Sequence, residues 1–328
     1  GDGESTASPS KSEASASTEE LVNDTIRIVF NEQGFVEKGF FAGRPVLERG
    51  SLLPYVVYDH QHKNAELQVE VLKEGKDGVA QIRLHGPFPL KGVPHSRAGQ
   101  VDYTLTLVAG VPYLFLDGRV DYPETYRDDV IKPYKPQLAR RIDNRWMEVA
   151  PAELRLAFYA DKDSPFRVHK RNYFDITSSY DIDYYRHSHK NLELANVNNH
   201  ITAEYVAVTG KGQGAAVAMD TERLANFAFA AFKMEHSSHH GFELKINPFG
   251  TYFGEQYYQP TWGRGYGFEA AFITGQQYAS AAKTYNGYTN SFNLMFSFFS
   301  GEKISTKVKR DLISYARPPK LVGPFQRH

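Results

Sequence analysis

Apolar and polar side chains alternate in short runs along most of this chain, and the clearest run is Val101–Pro123, VDYTLTLVAGVPYLFLDGRVDYP. Val101, Tyr103, Leu105 and Leu107 alternate with Asp102, Thr104 and Thr106, the period-2 pattern of a strand with one buried face. Ala109-Gly110-Val111-Pro112 interrupts it with turn residues. The alternation then resumes, with Leu114, Leu116, Val120 and Tyr122 opposite Phe115, Asp117, Arg119 and Asp121. The stretch predicts a long antiparallel hairpin with one face in a core. It is the element around which the rest of the chain is organised.

The same pattern recurs on both sides. Ile26, Ile28 and Phe30 alternate, Asn31–Gly34 turns, and Phe35–Phe41 returns. Leu67, Val69 and Val71 lead through Gly75-Lys76-Asp77-Gly78 into Val79–Leu84, a second hairpin. Leu154, Leu156 and Phe158, then Ile201–Val208 and Ala215–Met219 around the turn Gly210–Gly214, read as strands. So do Ala225–Phe232, Phe242–Ile246, Phe268–Ile273 and Ser291–Phe299. Tyr122–Ile142, with three prolines, predicts a long excursion, and the polar residues 161–199 a long loop. One segment has helical spacing: Ile304, Val308, Leu312 and Tyr315 share a face over Ile304–Ala316, and Arg317-Pro318-Pro319 ends it. About fourteen strands and one late helix predict an all-β fold, a large antiparallel β-supersandwich.

Residues 1–20, GDGESTASPSKSEASASTEE, carry no large apolar side chain and read as a disordered tether. Residues 21–328 then form one β-supersandwich domain. Such a tether fits an interdomain linker, the spacer behind a removed export or lipoprotein signal, or a solvated tail with no further role; the second of these leads to the expectation that the chain is extracytoplasmic (secreted, periplasmic or surface-tethered). A formal net charge of zero gives no electrostatic footprint for nucleic acid. No apolar run approaches the roughly 20 residues of a membrane span. The chain has no cysteine, which excludes disulfides and thiolate metal sites. Asn23-Asp24-Thr25 matches the glycosylation triplet.

Three stretches resemble the C-terminal β half of the class II α-mannosidases, glycoside hydrolase family 38. Leu21–Leu47, LVNDTIRIVFNEQGFVEKGFFAGRPVL, resembles its opening strands; Asp102–Pro123 resembles its central strand pair; Ser291–Pro319, SFNLMFSFFSGEKISTKVKRDLISYARPP, resembles its closing strand, turn and helix. The resemblance implies a galactose-mutarotase-like supersandwich. In that family the nucleophilic Asp and the zinc ligands lie in a preceding α/β domain, so it transfers no catalytic residue to this chain. It implies either an accessory half, with an upstream catalytic domain as partner, or a free-standing relative.

Candidate chemistry gathers in three places. Tyr252–Tyr266, YFGEQYYQPTWGRGY, sets Tyr257, Tyr258, Trp262 and Tyr266 among glycines, Gln259 and Arg264. Aromatic planes suit the C–H face of a sugar ring, and the amide and guanidinium suit its hydroxyl edge. The competing reading is a glycine-punctuated loop whose aromatics cap the sandwich. His200, Asn199 and Tyr185 bring together the residue types with which polysaccharide lyases neutralise a uronate and move a proton; an ordinary polar entry to the next strand competes. The pairs His60/His62 and His187/His189, and His236, His239 and His240, match no metal-site spacing, so neither metal nor other cofactor is expected. Arg140, Arg141 and Arg145 are expected to pair with Asp143 and Glu148. The function these features predict is glycan binding through the aromatic loop, and the family resemblance implies a place in a glycoside hydrolase. An autonomous polysaccharide lyase or sugar epimerase using His, Asn and Tyr is one alternative. A non-catalytic surface scaffold is the other.

Overall fold

The computed structural model describes residues 12–52, 55–58, 61–64, 66–88, 99–121, 147–150, 152–157, 166–172, 177–182, 203–219, 231–237, 241–247 and 289–317. In chain order the strands are β1 (Ala14–Ala16), β2 (Glu20–Asn23), β3 (Ile26–Phe30), β4 (Val36–Phe41) and β5 (Arg44–Leu47), then β6 (Tyr55–Tyr58) and β7 (Gln61–Asn64). Next come β8 (Gln68–Glu74), β9 (Val79–Phe88), β10 (Gly99–Val108), β11 (Tyr113–Asp121), β12 (Met147–Ala150) and β13 (Ala152–Arg155). The remainder are β14 (Phe166–Asn172), β15 (Thr177–Ile182), β16 (Ala203–Gly210), β17 (Gln213–Met219), β18 (Ala231–Ser237), β19 (Gly241–Asn247) and β20 (Thr289–Ser300), followed by helix α1 (Thr306–Ala316).

Among the described residues nine strands form the main sheet in the order β15-β14-β16-β17-β20-β11-β10-β9-β8, with β1–β5 in a second sheet and two three-stranded sheets, β12-β6-β7 and β13-β19-β18. All the pairings are antiparallel. The fold is the all-β antiparallel supersandwich expected from the alternation, and α1 is the helix expected near Ile304–Ala316.

The predicted hairpin sits at the middle of this sheet. Leu105 pairs with Leu116 and with Ile82, and Leu116 pairs onward with Leu294, so apolar positions line up across four strands. Val101, Tyr103, Leu105, Leu107, Leu114 and Leu116 are all buried. Period-2 patterning determines the register here, because a slip of one residue would turn every one of these side chains to the other face. Gly118 lies opposite Phe292 and leaves the space that ring occupies; Tyr103 meets the same ring edge-on at 5.6 Å. Gly214 does the same for Phe299 on the other face.

That other face carries α1. Leu312 and Ala316 are buried, and Ile304, Leu312, Val308, Ile313 and Tyr315 pack over Tyr113, Phe115, Met295, Phe299, Ala216, Ala218, Ala207 and Tyr205. The small residues of β16 and β17 let the helix approach the sheet closely. The helix starts at Ser305, whose hydroxyl accepts from the Val308 amide at 3.2 Å.

Two expectations are corrected. The tether drawn over residues 1–20 does not hold at Ala14–Ala16, which pairs with Leu21–Asn23 as the edge of a sheet, while residues 1–11 lie outside the described residues. Main-chain hydrogen bonds suffice for an edge strand without large side chains. The loop drawn over 161–199 contains the antiparallel pair β14–β15 at the margin of the main sheet. Arg167, His169 and Arg171 give β14 a polar face, so its alternation is weak. The strand expected at Ala225–Phe232 corresponds in part to β18, while the excursion Tyr122–Ile142 and the strand Phe268–Ile273 lie outside the described residues.

Candidate functional site

The face of the main sheet that bears α1 is apolar beneath the helix and polar beside it. On β8–β11 the polar positions align: Arg83 faces Thr104 and Glu70, Asp102 faces His85 and Arg119, and Asp117 faces Asn293. Arg83 holds Asp102 with both arms of its guanidinium, Nε at 2.8 Å and Nη2 at 2.6 Å, and reaches Glu70 at 3.3 Å. This fork keeps the Asp102 carboxyl below its ordinary range, aided by the charges of His85 and Arg119. His85 Nε2 stands 3.9 Å from Glu70, and Arg119 pairs with Asp121 along its own strand. Gln81 donates to Thr106 at 3.0 Å. The wing is a ladder of mutually paired charges and amides, suited to hydrogen-bonding a hydroxylated ligand edge-on.

Under the helix, the Tyr113 hydroxyl donates to Asp311 at 2.5 Å and accepts from Lys307 at 3.4 Å, while Lys307 also donates to Asp311 at 2.8 Å. Burial, then the Asp311 contact, raises the Tyr113 hydroxyl above its ordinary value. Lys307 and then Tyr113 stabilise the Asp311 carboxylate and lower its pKa. Lys307 further lies 5.6 Å from the Tyr113 ring centre. The group is a polar hinge pin between helix and sheet.

On the opposite flank a fully buried carboxylate appears. Arg171 pairs with Tyr205 and Asn172 with Ala203, so Glu204 is the extra residue of a β-bulge. The bulge turns Glu204, 0% exposed, towards Arg171 Nε at 2.7 Å and towards the guanidinium of Arg317 at the C-terminal end of α1. A carboxylate taken wholly out of water needs such partners, and two guanidiniums supply them. Further along β14, His169 contacts Ser179 at 2.9 Å and Thr209 at 3.4 Å.

Sequence reasoning did not single out Glu204, Arg171 or Arg317. One signal was present: Glu204 interrupts the apolar run that begins at Ile201. It did single out the glycosylation triplet, and the structure assigns Asn23 another task. Its amide donates to Val108 O at 2.9 Å and Val111 O at 2.8 Å, and its carbonyl accepts from Ile26 N and from Thr25. Both amide hydrogens are engaged and the side chain is 8% exposed, so the folded chain offers no acceptor nitrogen there.

The residues expected to carry chemistry, His200, Asn199 and Tyr185, lie outside the described residues, as does the aromatic set Tyr257, Tyr258, Gln259, Trp262, Arg264 and Tyr266. So do His60, His187, His189, His239 and His240, and Arg140, Arg141 and Arg145. His62 and His236 are placed on β7 and β18. Among the described residues no three His, Cys, Asp or Glu side chains cluster as metal ligands, and no helix is long and apolar enough to cross a membrane.

No protein-family model and no curated protein matches the chain. Solved structures do. An α-mannosidase from Enterococcus faecalis V583 superposes with a TM-score of 0.53 at 9% identity, over 93% of this chain and 32% of that one. A protein of glycosyl hydrolase family 38 from Enterococcus faecalis gives 0.54 at 10% identity, over 93% and 33%. The likeness is one of fold. It matches the resemblance drawn from Leu21–Leu47, Asp102–Pro123 and Ser291–Pro319. This chain spans about a third of the length of each of those proteins.

Proposed function

We propose that this chain is a carbohydrate-active β-supersandwich, acting outside the cytoplasm as the accessory, glycan-contacting part of a glycoside hydrolase. The observation that carries the reading is the extent of the shared fold: 93% of the chain follows about a third of an α-mannosidase. The polar ladder of β8–β11 fits the same reading, since carboxylates, guanidiniums and amides aligned along a rigid sheet are the groups that bind sugar hydroxyls. Tyr257, Tyr258, Gln259, Trp262, Arg264 and Tyr266 supply the stacking surface in this proposal; His200, Asn199 and Tyr185 would carry the reaction only in the alternative, an autonomous lyase or epimerase.

A screen of the intact chain against neutral and uronate polymers, scored for both binding and new products, tests the reading. Binding without turnover is expected, and Trp262→Ala should weaken it by about 1–3 kcal/mol while the fold survives. Neither binding nor product would overturn it. A non-catalytic scaffold is the second reading, favoured by Glu204: the one fully buried carboxylate among the described residues is held between two arginines, an arrangement that fixes a helix in place.

A further inference from the structure

We propose that the outward face of α1 and the turn before it form a docking surface for an acidic polysaccharide. The inference rests on the carbohydrate reading and names a ligand class and a place for it. From Lys303 to Ala316 the chain carries four basic residues, Lys303, Lys307, Lys309 and Arg310, and one acidic residue, Asp311, in a protein of net charge zero. The four basic residues are exposed. Asp311 is partly turned to the sheet, where its carboxylate accepts from Tyr113 and from Lys307, and Arg310 Nε stands 3.7 Å from it. Asp311 thus neutralises part of the set, and Lys303, Lys309 and Arg310 keep the exposed side of the helix positive.

Two further observations shape the surface. Gly301 N donates to Gly212 O at 2.6 Å, which ties the turn carrying Lys211 to the turn that leads into Lys303. Glu302 is the acidic residue at this junction, one charge against the basic set. The helix is also held at both ends, by Tyr113–Asp311–Lys307 and by Glu204–Arg317, so its charges stand on a fixed platform and less ordering is needed on binding. Lys307 and Arg310 lie one turn apart, about 4.5 Å along the axis at 1.5 Å per residue. Lysines act as hydrated point charges, and no aromatic side chain is exposed among them, so the surface reads a row of negative charges rather than the face of one ring. A linear polyuronate presents such a row.

The test uses polygalacturonate, a neutral mannan and phosphatidylserine vesicles with the intact chain. Lys309→Glu combined with Arg310→Glu alters two exposed side chains that lie outside the polar ladder and the aromatic stretch. It should weaken polygalacturonate binding about tenfold or more, with a clear salt dependence, and leave mannan binding unchanged. Lys38→Glu with Arg44→Glu makes the same change in net charge on β4 and β5 and should have little effect. The proposal is overturned if the helix variant keeps its affinity, if the control loses as much, or if vesicles bind and polygalacturonate does not. Mannan binding without polygalacturonate binding overturns this proposal alone, whereas no glycan binding of any kind overturns the carbohydrate reading with it.

Discussion

The N-terminal sheet and the C-terminal helix are both fastened to the nine-stranded sheet, but by different chemistry. At the N-terminal end the fastening is neutral at its centre: Asn23 reaches the Val108–Val111 turn with its amide and closes its own turn with its carbonyl. Asp24 adds a carboxylate that accepts from the Gly110 amide at 2.6 Å and the Glu13 amide at 3.1 Å. At the C-terminal end the fastening is ionic, with Glu204 between Arg171 and Arg317 at one end of α1 and Asp311 between Lys307 and Tyr113 nearer the other. The difference follows from what each segment exposes. Turn carbonyls ask for a donor with two hydrogens, which Asn supplies. A helix lined with Lys and Arg can be held by carboxylates, and a carboxylate can be buried only with such partners.

Four experiments separate the two fastenings. The largest effect is expected at Glu204: its replacement by Ala should cost about 3 kcal/mol, because it removes the buried carboxylate that joins Arg171 of β14 to Arg317 at the end of α1, the partial exposure of the guanidiniums holding the loss at the low end for a broken buried pair. Denaturant unfolding measures it, and a change under 1 kcal/mol would show that the pair contributes little. Asn23→Ala should follow at about 1–3 kcal/mol, since two turn carbonyls lose their donor. The same position allows a check on modification: mass analysis of protein secreted from a glycosylating host should find Asn23 bare. Ser305→Ala removes the helix cap and should cost about 1 kcal/mol, read as a lower melting temperature.

Acid response is the smallest effect. The Asp311 carboxyl is held below its ordinary value of 3.8 by Lys307 and Tyr113, and Asp24 is held below 3.8 by the Glu13 and Gly110 amides. A carboxyl lowered on folding contributes stability that is present above 3.8 and disappears as pH falls through the lower folded value. Asp311→Asn and Asp24→Asn should each flatten the acid limb of the stability curve below about pH 4. An unchanged limb in both variants would show that neither carboxylate matters to folding.

Much of this architecture is legible in the chain itself. The hairpin β10–β11 is readable because Val101, Tyr103, Leu105 and Leu107 alternate strictly with polar residues, and the structure buries all four. The helix is readable because its apolar spacing changes from two to about 3.6 residues. β14 and β15 were not, since strands at a sheet margin keep polar groups on a face and lose the contrast that alternation needs. Leu72, 44% exposed on the marginal strand β8, shows the converse: an apolar residue at the sheet's rim need not be core. The polar ladder was half legible, because Asp102, Asp117 and Arg119 were recognised as outward positions while their alignment with Arg83 and Glu70 depends on register between strands.

Local pattern alone thus determined the all-β class, the central hairpin, the closing helix and the turns between strands, since each depends on neighbours within a few residues. Tertiary structure alone decided that Glu204 would sit on a bulge and meet Arg317, more than a hundred residues away, and that Asn23 would clasp the Val108–Val111 turn. Those outcomes rest on hydrogen bonds and ion pairs whose partners are brought together only when the sheet closes, and no periodicity in the chain records them.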